Sequence, residues 1–450
     1  AGYFACPDAA SPKPSADCMT NRTLADWLAY LEQLHPTAID MGLDRVREVA
    51  RRLDLRKPAS RVITVTGTNG KGSTCAFLAE LLLAQDLRVG VYSSPHLLHY
   101  NERVVVNRSQ ATDVELCGAF SVVEQARGEI SLTYFEMGTL AAFWLFQQAE
   151  LDVVVLEVGL GGRLDAVNLF DADVAVVTSI GLDHAEWLGD SRDSVAFEKS
   201  GIFRRGNPVV CGDPDPPVVL HARAAELEAP FFLRGRDFDF VISGQCWHWR
   251  GVDRTGGERN LHGLPLLDLP IENAALALQV FCLLGLNWQP EQYSLALQRT
   301  SLSGRLQRCR LEYQGKQLSL LLDVGHNPHA AKFLAERFSE GADGGRRLAV
   351  FGLLSDKDLV GVLDALHETV SHWAVTTLPS PRSRSALELR EELLRFGAAV
   401  SVHDTVAEAL RAQCDQARFG DEVLVFGSFY CEAEALAWLA LMGAENGRTG

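Results

Sequence analysis

The residue types best placed to do chemistry form one short run, TGTNGKGST at residues 66–74. Glycines there let backbone N–H groups turn inward on an anion, and a helix starting at the loop adds its positive end. Lys71 supplies a mobile point charge for the outer phosphates of a nucleotide. The run departs from the usual G-x-x-x-x-G-K-[ST] loop: Gly67 to Lys71 is two residues tighter, and Gly72 separates Lys71 from Ser73. The plain alternative is a glycine-rich connection with a solvated lysine. The context favours the phosphate loop, since residues 61–66 are a β-branched run of strand length and residues 73–85 are patterned as a helix.

Other candidates lie at predicted strand ends. Glu157 closes the apolar run 152–157 and precedes VGLGG at 158–162. A carboxylate at the C-terminal edge of a parallel sheet faces the crevice where ligands bind, and Mg²⁺ prefers hard oxygens together with nucleotide phosphates. A solvated strand-end acid is the alternative. Ser94 follows a second strand and His184 a third. Imidazole is not a favoured Mg²⁺ ligand, so the residues alone do not single out His184. Lys199 falls in a predicted helix, 191–200, where most lysines are solvated. Asp323 ends a strand and precedes GHNP at 325–328.

The elements that must position these residues alternate. Thr23 is an N-cap signal for a first helix, and a second is expected over 43–53. Strands are expected at 61–66, 88–92, 152–157, 173–178 and 208–211, with helices at 73–85, 113–127, 134–149, 191–200 and 272–284. Continuous apolar strands between helices imply a parallel sheet covered on both faces. Residues 230–270 break the rhythm with short alternating pieces and many glycines, which reads as a small antiparallel appendage. After a loop at 301–305 the alternation restarts, with strands at 318–323, 348–351, 373–376, 400–402 and 423–426 and helices at 330–338, 359–367, 386–396 and 407–416. The expected fold is α/β: an N-terminal phosphate-loop domain with a parallel sheet and the appendage, then a C-terminal Rossmann-like α/β domain. The expected division is a tail over 1–22, the phosphate-loop domain over 23–298, a linker over 299–308 and the second domain over 309–450.

Composition sets outer limits. The 450 residues are 47% hydrophobic and 22% charged, a globular mix that excludes a disordered or fibrous chain. With 42 basic and 58 acidic residues the net charge is −16, which argues against nucleic acid or an anionic membrane as partner. Ten cysteines without a C-x-x-C pair do not make a disulfide framework, so a reduced, cytoplasmic protein is expected. No apolar run reaches the roughly 18 residues of a membrane span. The first 18 residues lack a charged start followed by an apolar core and read as a loose tail.

The phosphate loop, together with segments spread along the rest of the chain, resembles the Mur ligase superfamily, and more narrowly its bacterial folylpolyglutamate synthase/dihydrofolate synthase branch. The matching segments, in order, are TGTNGKGST (66–74), YSSPHLLHYNERV (92–104), SLTYFEMGTLAA (131–142), LEVGLGGRLDAVN (156–168), TSIGLDHAEWLG (178–189), FEKSGIFR (197–204), SGRLQ (303–307), DVGHNPHAA (323–331), DKD (356–358) and FGSF (426–429). Gly325 stands where the D-x-A-H-N-P pattern has alanine, and Leu306 where phenylalanine is usual; neither removes a functional group.

The resemblance implies an ATP-dependent amide ligase that joins L-glutamate to dihydropteroate and to reduced tetrahydrofolates through an acyl phosphate. It implies that Thr68, Asn69, Gly70, Lys71, Gly72, Ser73, Asn273, Arg305 and Asp323 contact ATP, and that Ser94, Glu157 and His184 hold Mg²⁺. Lys199 would be carbamylated and support a second Mg²⁺, with K⁺ as monovalent activator. Carbamylation needs a neutral amine, hence a site that lowers the lysine's pKa. His326, Asp356 and Lys357 would join Lys71 and Lys199 at the reaction centre. The pterin or folate pocket would comprise Asp40, Met41, Gly42, Leu43, Thr133, Tyr134, Phe135, Glu136, Leu164, Asp165 and Ala166, with Phe135 stacking and Asp165 accepting hydrogen bonds. A monomer is expected. The rivals are a ligase of cell-wall nucleotide precursors, disfavoured by the TYFE and GLGGRLDA segments, and a nucleotide-switch ATPase, which leaves the Lys199 segment unexplained.

Overall fold

The computed structural model describes residues 22–340 and 345–446. The tail expected over 1–22 lies outside the described residues except for Arg22, whose guanidinium rests over the Trp27 and Tyr30 rings. The chain opens with α1 (Leu24–Gln33), α2 (Asp44–Arg52), β1 (Ala59–Thr66), α3 (Lys71–Leu83), β2 (Val89–Tyr92), β3 (Val104–Val106) and β4 (Ser109–Gln110). It continues with α4 (Asp113–Arg127), α5 (Tyr134–Gln148), β5 (Leu151–Glu157), β6 (Val174–Val177), α6 (Ala185–Leu188), α7 (Arg192–Ser200), β7 (Val209–Cys211), α8 (Val218–Glu226) and β8 (Phe231–Leu233).

These eight strands form one sheet in the order β4-β3-β2-β5-β1-β6-β7-β8, parallel from β2 to β8. Only the pairings β2–β3 and β3–β4, at one edge, are antiparallel. Strand residues alternate between two apolar layers. Val62, Val154 and Leu156 face α1, α2, α4 and α5, whereas Ile63, Val65, Val153 and Val155 face α3 and apolar residues from 271–297. Both faces are covered, which is why the strands read as unbroken apolar runs.

The appendage is the antiparallel sheet β9 (Asp239–Ser243), β10 (Cys246–Val252) and β11 (Glu258–Pro265). It is shorter than expected: β8, placed in it from sequence, pairs in parallel with β7, because its apolar triplet Phe231–Leu233 extends the main sheet. The buried indole of Trp249 donates to the Ala275 carbonyl, 3.0 Å, pinning the appendage to α9 (Ile271–Cys282).

After α10 (Pro290–Arg299), residues 300–306 lead into a second sheet. Its elements are β12 (Gln307–Tyr313), β13 (Lys316–Asp323), α11 (Pro328–Glu340), β14 (Arg347–Phe351), α12 (Leu359–Leu366), β15 (His372–Thr376), α13 (Ala386–Arg395) and β16 (Val400–His403). Then come α14 (Val406–Gln416), β17 (Glu422–Phe426), α15 (Phe429–Leu441) and β18 (Glu445–Asn446). The order is β16-β15-β14-β17-β13-β12-β18, parallel from β16 to β13 and antiparallel at β12 and β18. Two apolar layers again cover the sheet's two faces.

Candidate active site

The phosphate loop is built by strand, turn and helix as its sequence requires. β1 ends at Thr66, and α3 begins on Lys71 itself, two residues earlier than expected. Gly70 is left-handed (φ 84°), and a side chain there would strike the Asn273 amide. Gly67 leaves no room for a β-carbon against Thr178. The loop is tied to the end of β6: the Thr68 N–H donates to the Ser179 carbonyl, 2.9 Å, and the Asn69 N–H to Ser179 Oγ, 3.1 Å. These bonds fix the loop's backbone before any anion arrives.

Lys71 and Lys199 converge on one acceptor. Each Nζ donates to the Gly67 carbonyl at 3.0 Å, and Lys71 also reaches Thr68 O, 3.3 Å. Lys199 is 4% exposed, on the last turn of α7. Burial first, and the Lys71 charge second, pull its amine down to about 7. Burial also lowers Lys71, while Glu157 pulls it back up.

Glu157 ends β5 beside them. Its carboxylate is buried and accepts one hydrogen bond, from the Ser94 N–H at 3.3 Å. Burial raises its pKa, opposed chiefly by Lys71. Ser94, Glu157, His184 and Lys199 line one cavity with residues 67–72. Among the described residues, no group of three or more His, Cys, Asp or Glu side chains could hold a metal by itself. Mg²⁺ takes few protein ligands and completes its shell with phosphate oxygens and water.

The second half closes this cavity with Arg305, Gly325, His326 and Phe429. A second cavity, about 360 Å³, shares Asn69, Gly70 and Arg305 with it and adds Ser73, Asn273, Asp323, His329 and Phe333. Every residue expected at ATP lines one of the two. Asp323 is tied down: it accepts from the Leu306 N–H, 3.0 Å, and the Gly325 N–H, 2.7 Å. Burial raises its pKa against the pull of Arg305.

Contacts across the cleft converge on Asp183, to which sequence reasoning assigned no role. Lys357 Nζ donates to Asp183 Oδ1 at 2.7 Å, and His326 Nε2 stands 3.8 Å from Asp183 Oδ2. Burial pushes the Asp183 carboxyl up, but His326, His184 and Lys357 together hold it well below the usual range. The available signal was its position, an acid beside His184 beyond the C-terminal edge of the sheet. His184 is itself left-handed (φ 53°) and half exposed. Asp356 lies 3.5 Å from Lys357, and Asp358 caps α12. Asn327 donates to Asn69 Oδ1, 2.8 Å, joining the GHNP turn to the phosphate loop.

The residues expected around a pterin divide. Met41 and Leu188 flank Gly161, and Phe135 packs on Gly159 and Tyr92. Others are engaged with the protein itself. Thr133 caps α5, and Glu136 accepts from the Thr133 N–H and pairs with Arg45, 2.8 Å. Arg45 also binds Asp40, 2.6 Å, so it locks the 40–43 turn, with Met41, half-buried Gly42 and buried Leu43, onto α5. Tyr134 stacks edge-on to Tyr100. Asp165, between Leu164 and the buried Ala166, accepts from the Leu160 N–H, 2.8 Å, and the Val167 N–H, 3.0 Å, shaping the glycine turn. Burial nonetheless raises its pKa to about 6, and a carboxylate with two such bonds retains lone pairs for a ligand.

Known proteins match this arrangement. Residues 65–216 match the Mur ligase middle domain and residues 304–429 the Mur ligase glutamate ligase domain. The dihydrofolate synthase/folylpolyglutamate synthase of Escherichia coli is 44% identical over 430 residues, 96% of this chain and 96% of that protein. A structure of E. coli FolC in complex with DHPP and ADP superposes with a TM-score of 0.86, at 44% identity, over 93% of this chain and 98% of that one. A bifunctional folylpolyglutamate synthase/dihydrofolate synthase with Mn, AMPPNP and L-glutamate bound gives a TM-score of 0.85 at 47% identity, with the same two coverages.

Proposed function

The chain belongs to the Mur ligases, in their bifunctional folylpolyglutamate synthase/dihydrofolate synthase branch, and from that premise we propose how its residues divide the work. It is an ATP-dependent ligase that joins L-glutamate to dihydropteroate and to folates. The observation that carries the residue assignment is the convergence of Lys71, Lys199, Glu157 and Ser94 on one cavity that Arg305, Gly325, His326 and Phe429 of the second half close.

ATP lies along the two cavities, its phosphates on the 67–73 loop under Lys71, its nucleoside among Asn273, Arg305 and Asp323. Ser94, Glu157 and His184 would hold Mg²⁺ on the phosphates, and Lys199 a second ion once carbamylated; bound there, the metal supplies positive charge to the transferring phosphoryl group. K⁺ is assigned no residue. The acceptor carboxylate attacks the γ-phosphorus, a carboxyl O–P bond forms, the bond to the β-phosphate bridge breaks, and ADP leaves. Lys71 stabilises the charge that builds on the equatorial oxygens. The glutamate amine then attacks the acyl carbon and phosphate departs. The amine must shed a proton. His326 Nδ1 donates to the Val324 carbonyl, 2.9 Å, and its Nε2 faces Asp183 Oδ2, 3.8 Å away, so an imidazole and a carboxylate stand together at the cleft to take that proton. Closure by Asp356, Lys357 and Asp183 keeps water from the acyl phosphate.

Lys199 fits carbamylation on physical grounds. A neutral amine held by the Gly67 carbonyl keeps its lone pair for CO₂; an N–C bond forms, one proton leaves, and a carboxylate replaces the base. The pterin side is the surface of Met41, Phe135 and the 159–166 turn, with Asp40, Thr133 and Glu136 supporting it through Arg45. We divide the chain at the 299–308 linker, into ATP-binding residues 23–298 and glutamate-ligase residues 309–450. Ten cysteines without a C-x-x-C pair support a reducing, cytoplasmic setting. One chain lines both cavities by itself, which supports action as a monomer. Among the described residues no helix is long and apolar enough to cross a membrane.

The test is ADP release with Mg²⁺, ATP and glutamate under three conditions: no acceptor, dihydropteroate, or tetrahydrofolate. Turnover with both acceptors and little without them is expected. Turnover with tetrahydrofolate alone would remove the pterin role from Asp165 and Phe135.

A further inference from the structure

Lys357 stands in the turn between β14 and α12 and reaches Asp183 across the cleft, 2.7 Å away. A long side chain on a free turn would hold that position poorly. The turn is held by a second loop, residues 380–385, ahead of α13. The Ser355 N–H donates to the Arg382 carbonyl, 2.7 Å, and the Arg384 N–H to the Leu353 carbonyl, 2.9 Å, forming a short bridge between Leu354 and Ser383.

The Arg384 side chain does the rest. One terminal nitrogen donates to two carbonyls of the same turn, Ser355 O at 3.1 Å and Lys357 O at 2.9 Å. The other terminal nitrogen pairs with Glu388 on α13. Its buried Nε finds no partner among the described residues, so the terminal contacts set its place. Charge-assisted bonds from a rigid planar fork fix two carbonyls at once, which a lysine ammonium on a flexible stem does not reproduce. The path runs from Glu388 through Arg384 to the backbone of the turn, then through Lys357 to Asp183 beside His184.

We propose that Arg384 is a positioning residue for ligation: it clamps the turn that carries Lys357, so that Lys357 meets Asp183 when the two halves close. The inference rests on the reaction-centre role proposed for Lys357. Arg384 itself lines neither nucleotide cavity, so its effect should fall on kcat rather than on ADP affinity.

The experiment is a double-mutant cycle. Arg384→Ala should lower kcat roughly 10–100-fold, the range an ångström-scale misplacement produces, with ADP affinity unchanged. Arg384→Lys should recover part of the loss. In a Lys357→Ala background, Arg384→Ala should cost nothing more, because the residue it positions is gone. Should Arg384→Ala fail to fold, Glu388→Ala carries the same test with a smaller loss in the parent and none beside Lys357→Ala. A loss of equal size in both backgrounds, or no loss in the parent, would overturn the proposal and leave the role of Lys357 standing. Full activity in Lys357→Ala alone would overturn both.

Discussion

Two carboxylates occupy equivalent places in the two halves. Glu157 ends β5 in the first sheet, Asp323 ends β13 in the second, and burial raises the pKa of both. Their partners differ. Glu157 accepts a single 3.3 Å hydrogen bond from a backbone amide, leaving most of its oxygen lone pairs open to the cavity. Asp323 binds two amides at 3.0 and 2.7 Å, and one of them belongs to Leu306, held left-handed at φ 46° in the connection between the sheets. A non-glycine residue in that region is strained and persists only where its surroundings hold it. Strand-end acids are therefore not interchangeable. The one with most lone pairs open is available to a cation and phosphates, and the one already holding two amides keeps the connection in shape before it touches a nucleotide.

The contrast can be tested from its strong end. Glu157→Gln keeps the shape and the Ser94 contact but removes the charge; turnover should fall roughly 10³-fold or more, as when a charge on the phosphoryl group is lost, while the melting temperature holds. Lys199→Arg, a permanent cation beside Lys71, should fall nearly as far and lose the added mass of one carbon dioxide in native mass spectrometry. In the parent the modified fraction should rise with pH through about 7, because the ammonium that dominates below that value cannot attack CO₂. Asp323→Asn keeps one acceptor of two; it should cost about 1–3 kcal/mol in denaturant unfolding by stranding a buried amide, with a smaller loss of turnover. Asn327→Ala removes the bridge to Asn69 and the side-chain acceptor for the Ala330 N–H, 2.9 Å, and should cost about 1 kcal/mol of stability.

Much of this was legible in the residues. The TGTNGKGST run announced its own strand, turn and helix because glycine position and β-branching act locally. The buried strands were legible because both faces are covered. Less legible were features made by tertiary contact. β12 carries a period-two signal in Cys309, Leu311 and Tyr313, all buried, yet its first two residues, Gln307 and Arg308, lay inside the expected linker. β8 is only three residues long, too short for periodicity to assign it to one sheet or another. Asp183 gained its meaning from Lys357 and His326, more than 140 positions away along the chain, and Arg384 from two carbonyls that no spacing rule links to it. Thr133, Glu136 and Asp40 carry polar groups that suit a pterin, but the capping box and Arg45 already engage them.

The most direct measurement is the Mg²⁺ dependence of nucleotide binding, by titration calorimetry of AMPPNP with and without Mg²⁺, in Glu157→Gln and Asp323→Asn side by side. Glu157→Gln should abolish the gain in affinity that Mg²⁺ confers on the parent, whereas Asp323→Asn should weaken binding equally in its presence and absence. A gain retained in Glu157→Gln, or lost in Asp323→Asn alone, would contradict the division of roles between the two strand ends.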